Sequence, residues 1–194
     1  NLLALARWIV RPWVPPILVD AKLHLFPPPP PPQIWAGDYP DWGSAKRDCA
    51  GYDDQRLIER IRAAALAVKS GQVVAERDSV LLPSIPYRWP VIAALLRAGC
   101  ASDNRLRVMD FGGALGTSYY HDRAYLAVLD RLEWNVVEQP KLVEIGRREF
   151  GDDLGFFTDA AECVAQRSID LILISSVLQY LPTPHRTLHE LLGL

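Results

Sequence analysis

The second half of the chain alternates short apolar runs with stretches in which apolar residues recur at helical spacing. The apolar runs predict strands at 106–111, 134–138, 154–158 and 169–175. The stretches between them predict helices at 117–132, 141–150 and 160–166. Strands that alternate with helices indicate βαβ units with right-handed crossovers. The pattern therefore predicts an α/β domain with a parallel sheet from Arg105 to Leu194.

The first half of the chain shows a different pattern. Helical spacing predicts a helix over 55–69, which Asp53 or Asp54 caps and Gly71 ends, and a second helix over 90–98. The aromatic side chains of Trp35, Tyr39 and Trp42 precede these helices and are interpreted as core of the cap, with stacking on a sugar or ring substrate as the alternative.

Three segments follow from these patterns. Residues 34–104 are interpreted as a helical, aromatic-rich cap, and residues 105–194 as a ligand-binding domain. Residues 1–33 form an apolar N-terminal segment and a spacer, in which the proline run 27–32 can only adopt polyproline II. The sequence 76–78, Glu-Arg-Asp, is interpreted as a local ion-pair cluster, with closure over a substrate as the alternative.

Composition narrows the class of protein. The 194 residues carry a formal net charge of -2, so a nucleic-acid partner is not favoured. Three cysteines without C-x-x-C spacing indicate neither disulfides nor zinc, and a cytoplasmic location is the simplest. Arginines and prolines break the apolar N-terminal segment, which argues against a membrane span and favours packing or disorder over contact with a membrane surface. The oligomeric state is not indicated.

Both ends of the chain read as the ends of a fragment. No initiator methionine is present, and 184–194 predicts a helix with no strand after it. We therefore expect a C-terminally incomplete domain whose sheet of four strands has an exposed edge.

The loop after the first predicted strand contains Gly112, Gly113 and Gly116. Small residues permit a tight turn, and the following helix N-terminus offers free N–H groups to a carboxylate or a phosphate. The dinucleotide fingerprint requires a small residue where Thr117 stands, and no Gly-Lys-Ser/Thr follows for a triphosphate loop. An ordinary strand-to-helix turn is the alternative.

Two acids lie near this loop. Glu138 ends the second predicted strand roughly 20 residues after Gly116, where a carboxylate binds the ribose hydroxyls of an adenosine. Asp110, at the tip of the first strand, suits the ammonium group of S-adenosylmethionine, which NAD lacks. The alternatives are a solvated strand end for Glu138 and hydrogen bonds to loop N–H groups for Asp110.

Three stretches together resemble a bacterial family of class I S-adenosylmethionine-dependent methyltransferases. They contain D-F-G-G-A-L-G at 110–116, V-V-E-Q at 136–139 and S-S-V-L-Q-Y-L at 175–181, and W-A-G-D-Y at 35–39 is similar too. The resemblance covers roughly 34–194 and implies a Rossmann-like three-layer α/β sandwich.

The resemblance also implies a cofactor site. Its residues are Asp110, Gly112, Gly113, Gly116, Glu138, Gln139, Asp159, Ser175 and Ser176. The segment 110–116 would hold the methionine part and Glu138 the ribose. Asp159 would lie near the adenine, and Ser175 and Ser176 beside the sulfonium.

The implied reaction is methyl transfer to a small-molecule or glycan acceptor, with surface-polysaccharide biosynthesis as an association. An oxygen or nitrogen acceptor needs a base, for which the candidates are His121, Tyr120 and Tyr180. A helix-surface role for His121 and a packing role for Tyr180 are the alternatives. No metal is predicted, because His185 and His189 lack a third ligand.

Two other functions stay open. An NAD-dependent oxidoreductase is disfavoured by Asp110 and Thr117. A non-catalytic cofactor-fold module that binds a partner through the cap is favoured by the expected lack of strands after the fourth one and by the absence of a clear base.

Overall fold

The computed structural model describes residues 37–49, 51 and 54–194. The predictions for Trp35, the proline run and the N-terminal segment lie outside these residues. The chain divides into a unit of residues 1–40 and a unit of residues 41–194, and the fold below is that of the second unit. Within the described ranges, no helix is long and apolar enough to span a membrane.

Helices and strands alternate along the second unit. The helices are α1 (Trp42–Asp48), α2 (Gln55–Lys69), α3 (Trp89–Ala101), α4 (Thr117–Leu126), α5 (Pro140–Glu149), α6 (Ala160–Gln166) and α7 (Pro184–Leu192), with a 3-10 helix at Leu178–Tyr180. The strands are β1 (Ala75–Arg77), β2 (Val80–Leu82), β3 (Arg105–Phe111), β4 (Arg131–Val137), β5 (Gly155–Phe157) and β6 (Leu171–Ile174).

The central sheet has four parallel strands in the order β5-β4-β3-β6. Strand β3 pairs with β4 from Arg105 opposite Arg131 to Phe111 opposite Val137, and with β6 on its other side. The strand order reverses between β3 and β6, which is where ligands bind in open parallel sheets. The predicted α/β class and parallel sheet are confirmed, and the arrangement is compatible with a Rossmann-like fold.

Helices cover both faces of the sheet. On one face, Val108 and Val136 share a core with side chains of α2, α3, α4 and α5. On the other face, Met109 and Val137 pack with Cys163 of α6 and Leu191 of α7. Successive strand residues point to opposite faces, so the apolar runs of β3 and β4 supply both cores. Helices on both sides of the predicted boundary at residue 104 thus bury side chains in one core.

The predicted helix 117–132 is wrong beyond Leu126. The N–H of Leu129 bonds to the carbonyl of Leu126 in a turn, and the N–H of Asp130 bonds to the carbonyl of Asn104. These bonds hold the chain beside the start of β3, so that Arg131 begins β4 opposite Arg105. Pairing with β3 overrides the local helical spacing of these residues.

The antiparallel hairpin of β1 and β2 was not predicted at all. Its two-residue turn places Asp78 and Ser79 at positive φ, a conformation that matches the twist of hairpin strands. The sequence lacks the Asn-Gly or Asp-Gly pair that signals such a turn. The aromatic side chains of Tyr39 and Trp42, interpreted as core, are instead exposed.

Candidate functional site

The glycine loop joins β3 to α4 at the carboxyl edge of the sheet. Gly112 has a φ of 71° and donates its N–H to the carbonyl oxygen of Val137 at 2.8 Å. Gly116 has a φ of 89° and precedes the first turn of α4. A Cβ on Gly113 would lie 2.5 Å from the carboxyl group of Asp110. The loop therefore needs glycine at all three positions. The first N–H groups of α4, which have no partners within the helix, lie beside it.

Replacing Gly112 by Ala is expected to destabilise the protein by about 2 kcal/mol. A left-handed backbone costs a residue with a Cβ about 1 kcal/mol. The added methyl would also lie 2.3 Å from Cγ2 of Val177, and the overpacking adds roughly 1 kcal/mol. Urea denaturation measures the loss.

Gly71→Ala is the matched control for this change. Gly71 has a φ of 75°, but a Cβ there would meet no atom within 4 Å. It should show the backbone cost alone. Equal losses of stability in the two variants would mean that the close contact of the added methyl group with Val177 contributes nothing.

Asp110 lies beneath the glycine loop rather than on its surface. Its side chain is 1% exposed, and its Oδ2 accepts a hydrogen bond from Nε1 of Trp134 at 3.1 Å. Burial raises the pKa of Asp110 from 3.8 to about 7, although the Trp134 bond and the charge of Arg88 oppose the shift. The carboxyl group therefore titrates near neutral pH.

Glu138 joins the glycine loop to the end of β4. Its Oε2 accepts from the N–H of Ala114 at 3.1 Å, and its Oε1 accepts from the N–H of Gln139 at 2.8 Å. Burial raises the pKa of Glu138, and these two backbone bonds oppose the shift. A carboxylate has about four acceptor positions, so two further donors can still bind it.

The other predicted cofactor residues follow neighbouring strands at the same edge. Asp159, after β5, caps α6 through its Oδ1, which accepts from the N–H groups of Ala161 and Glu162. Ser175 and Ser176 follow β6, and Ser176 has a φ of 59°. The structure brings the predicted residues to one edge of the sheet. It also shows that Asp159 has a structural role as the cap of α6.

The candidate bases His121 and Tyr120 are buried in the fold. Nε2 of the buried His121 accepts from the N–H of Glu76 at 3.4 Å, and burial lowers the pKa of this imidazole. The Tyr120 hydroxyl donates to Oδ2 of Asp153 at 3.0 Å, and burial raises the pKa of the phenol. Tyr180 is the exposed candidate, in the 3-10 helix after β6.

Glu76 holds the hairpin against the start of α4. Its Oε2 accepts from the N–H of Ser79 at 3.0 Å, and its Oε1 accepts from the Thr117 hydroxyl. The side chain is buried, so the predicted ion-pair cluster at 76–78 is wrong for this acid. Thr117, which breaks the dinucleotide fingerprint, thus has a structural role.

Arg88, which precedes α3, is a site residue that was not predicted from the sequence. Its Nη1 donates to Oγ of Ser175 at 2.6 Å and its Nη2 to Oγ of Ser118 at 2.9 Å. Nη2 also lies 3.7 Å from Oδ2 of Asp122, a side chain that is 1% exposed. That oxygen has no hydrogen-bond partner among the described residues.

The four residues Arg88, Ser118, Asp122 and Ser175 form a group that we call the arginine cluster. It links α3, α4 and the end of β6 beside the glycine loop. One sequence signal points to it: Ser118 and Asp122 are four residues apart and therefore share one face of a helix that packs against the core.

Two surface depressions in the described structure lie away from the carboxyl edge. One, of about 450 Å³, runs along α2, and the other, of about 330 Å³, surrounds Arg107 and Asp170 at the opposite edge of the sheet. The glycine loop lines neither, so the candidate site is defined by its side chains and backbone donors.

Comparisons with protein-family models, curated proteins and solved structures find no match for this chain. The class that the structure defines is an α/β protein whose four-stranded parallel sheet is flanked by helices. The resemblance to methyltransferases stays a prediction that rests on its sequence motifs.

Proposed function

We propose that this chain binds S-adenosylmethionine at the carboxyl edge of its sheet and transfers the methyl group to a small-molecule or glycan acceptor. The observation that carries the proposal is the hydrogen bond from Ala114 to Glu138, which fixes the acid that follows β4 against the glycine loop. Asp110 lies beneath the same loop. A helix N-terminus close to two acids suits a ligand that has a carboxylate, an ammonium and a ribose.

The charge pattern favours this cofactor over NAD. The N-terminus of α4 and the loop N–H groups attract the carboxylate of the methionine part. Asp110 attracts an ammonium, whereas it would repel the pyrophosphate of NAD when ionised. Glu138 can accept hydrogen bonds from the ribose hydroxyls of either cofactor and does not distinguish them. Thr117 is engaged with Glu76 and leaves the third glycine position of the dinucleotide fingerprint unfilled.

The reaction requires few catalytic groups from the protein. The acceptor atom forms a bond to the methyl carbon while the bond from that carbon to the sulfonium breaks, and the acceptor loses its proton. Positioning the acceptor in line therefore supplies most of the rate enhancement. Tyr180 is exposed in the 3-10 helix that follows β6, where an acceptor can reach it, so it is the candidate base that we favour.

Replacing Glu138 by Gln is expected to weaken binding of S-adenosylmethionine and S-adenosylhomocysteine at least tenfold. Hydrogen bonds to a charged acceptor contribute about 1.5–3 kcal/mol, and 1.4 kcal/mol is tenfold in affinity. Titration calorimetry at neutral pH measures the change. Glu144→Gln, at an exposed position on α5, is the matched control and should bind like the wild type.

Two results would argue against the assignment. If Glu138→Gln binds both compounds as tightly as the wild type, Glu138 does not contact the ribose. Tight binding of NAD with no binding of either sulfur compound would replace the proposed function by that of an oxidoreductase.

A non-catalytic binding module is the second candidate function. The observation that favours it is the engagement of His121 and Tyr120 in structural hydrogen bonds. A module would bind the cofactor without releasing S-adenosylhomocysteine in the presence of glycan acceptors. Turnover that depends on the acceptor would exclude it.

A further inference from the structure

Three aromatic side chains form a partly exposed cluster at the start of α3. The ring centroids of Tyr87 and Trp89 lie 5.2 Å apart, and both rings contact Tyr125 of α4, at 4.9 and 5.2 Å. Trp89 is 56% exposed and Tyr125 37%. We call these three residues the aromatic surface.

The aromatic surface adjoins the arginine cluster. Tyr87 and Trp89 flank Arg88 in the sequence, so their Cα atoms lie about 3.8 Å from that of the arginine. On α4, Tyr125 follows Ser118 and Asp122 at helical spacing and lies on the same face of the helix. Through Arg88, the rings are connected to Ser175 at the end of β6.

We propose that a sugar ring of a glycan stacks on the aromatic surface, so that the acceptor is a carbohydrate. The C–H groups on the face of a pyranose carry partial positive charge, which the negative face of an aromatic ring attracts. The hydroxyls of the two tyrosines and the indole N–H can bind sugar hydroxyls at the margin. The inference rests on the proposed function only for the methyl-transfer step.

The size of the surface argues for a sugar rather than a protein. An aromatic side chain presents about 150–250 Å² in total, so the exposed parts of Trp89 and Tyr125 amount to roughly 200 Å². A stable protein interface needs about 800 Å² from each partner. The area of the aromatic surface suits one or two sugar rings instead.

The rigidity of the surface also suits a weakly held ring. The three side chains contact one another, so little rotamer freedom remains to be lost when a ligand binds. Aromatic residues give large contact areas at low entropic cost for the same reason.

The test uses the full chain with three oligosaccharide probes: maltohexaose, cellohexaose and hexagalacturonic acid. Binding is measured by calorimetry and by saturation-transfer NMR in the wild type and in Trp89→Ala, Tyr125→Ala and Trp42→Ala. Trp42 is 44% exposed but lies on α1, so it controls for the loss of an exposed tryptophan. We expect at least one probe to bind, at least tenfold weaker binding in the first two variants, and no change in Trp42→Ala.

Trp89→Tyr keeps a ring at the surface and is expected to retain most of the binding. This variant separates the loss of stacking from a loss of folding. Failure of all three probes to bind the wild type would overturn the inference, as would an equal effect of Trp42→Ala. Self-association of the wild type that Trp89→Ala abolishes would overturn it too, because the surface would then be an interface between two copies.

Cofactor binding is measured on the same samples. Oligosaccharide binding without binding of S-adenosylmethionine would contradict the proposed function and leave the sugar surface standing. Binding of S-adenosylmethionine without binding of the oligosaccharides would contradict the sugar surface and leave the proposed function standing.

Discussion

Replacing Asp110 by Asn is expected to remove a pH-dependent destabilisation of about 4 kcal/mol that the buried carboxyl group causes between pH 4 and pH 7. Burial raises the folded-state pKa of this carboxyl group from 3.8 to about 7. Between these values the native state holds a proton that the unfolded chain has released. Stability therefore falls as the pH rises, by about 1.4 kcal/mol for each pH unit in the window, and stays low above it.

Urea denaturation at a series of pH values measures this dependence through the midpoint at constant m-value. Trp134→Phe is the second variant, because Trp134 donates the hydrogen bond that lowers the pKa of Asp110. Without this bond the pKa of Asp110 rises further, so we expect the stability of Trp134→Phe to keep falling to a higher pH than that of the wild type. A wild type and an Asp110→Asn variant with the same slope would show that Asp110 titrates alike in the folded and unfolded chains.

The titration of Asp110 also bears on the proposed function. A bound ammonium next to Asp110 would favour the ionised carboxylate and lower its pKa. S-Adenosylmethionine would then bind more tightly as the pH rises through 7. A stability cost at neutral pH is thus the expected consequence of keeping a buried acid beneath a cofactor loop.

The parallel sheet could be predicted from the sequence because β3 and β4 are largely buried on both faces and β6 is at least partly buried along its length. Such strands are continuous apolar runs, and short runs separated by helical spacing leave little choice of fold class. The segment 127–132 could not be predicted in this way. Leu129 and Leu132 fit either a helix face or a strand, and the choice depends on Asn104 and Arg105, which lie far away in the sequence.

The candidate site was predictable to the extent that it follows strand ends. Asp110 and Glu138 could be found because the carboxyl ends of parallel strands meet at one edge of the sheet. Their partners could not, because Trp134 and Ala114 reach them across strands. Arg88 precedes its helix in a stretch without periodicity, so its contacts with α4 and β6 depend wholly on tertiary packing.

Replacing Arg88 by Met is expected to destabilise the protein by about 3 kcal/mol at pH 8. The change leaves Asp122 buried without its cation, which costs about 3–5 kcal/mol for a fully buried pair. The pair here is longer, at 3.7 Å, and Arg88 is 27% exposed, so the lower end applies. Burial raises the pKa of Asp122 and the charge of Arg88 lowers it.

Removing Arg88 therefore raises the pKa of Asp122 further above its unfolded value. Below that unfolded value both states are protonated and the variant loses least; as the pH rises, its stability falls until Asp122 ionises in the folded state. Denaturation midpoints at acidic and alkaline pH measure the difference. Arg131→Met is the matched control, because Arg131 is 66% exposed and its ion pair with Glu133 should contribute less than about 1 kcal/mol.

The double variant Arg88→Met, Asp122→Asn distinguishes a charge pair from simple packing. If the buried charge causes the loss, the second change restores most of the stability, since no uncompensated carboxylate remains. If Arg88 acts through packing or through its bonds to Ser118 and Ser175, the double variant stays as unstable as the single one. If stability is restored, cofactor binding can be measured directly in a folded protein that lacks Arg88. That measurement shows whether the arginine cluster orders the end of β6 for the cofactor.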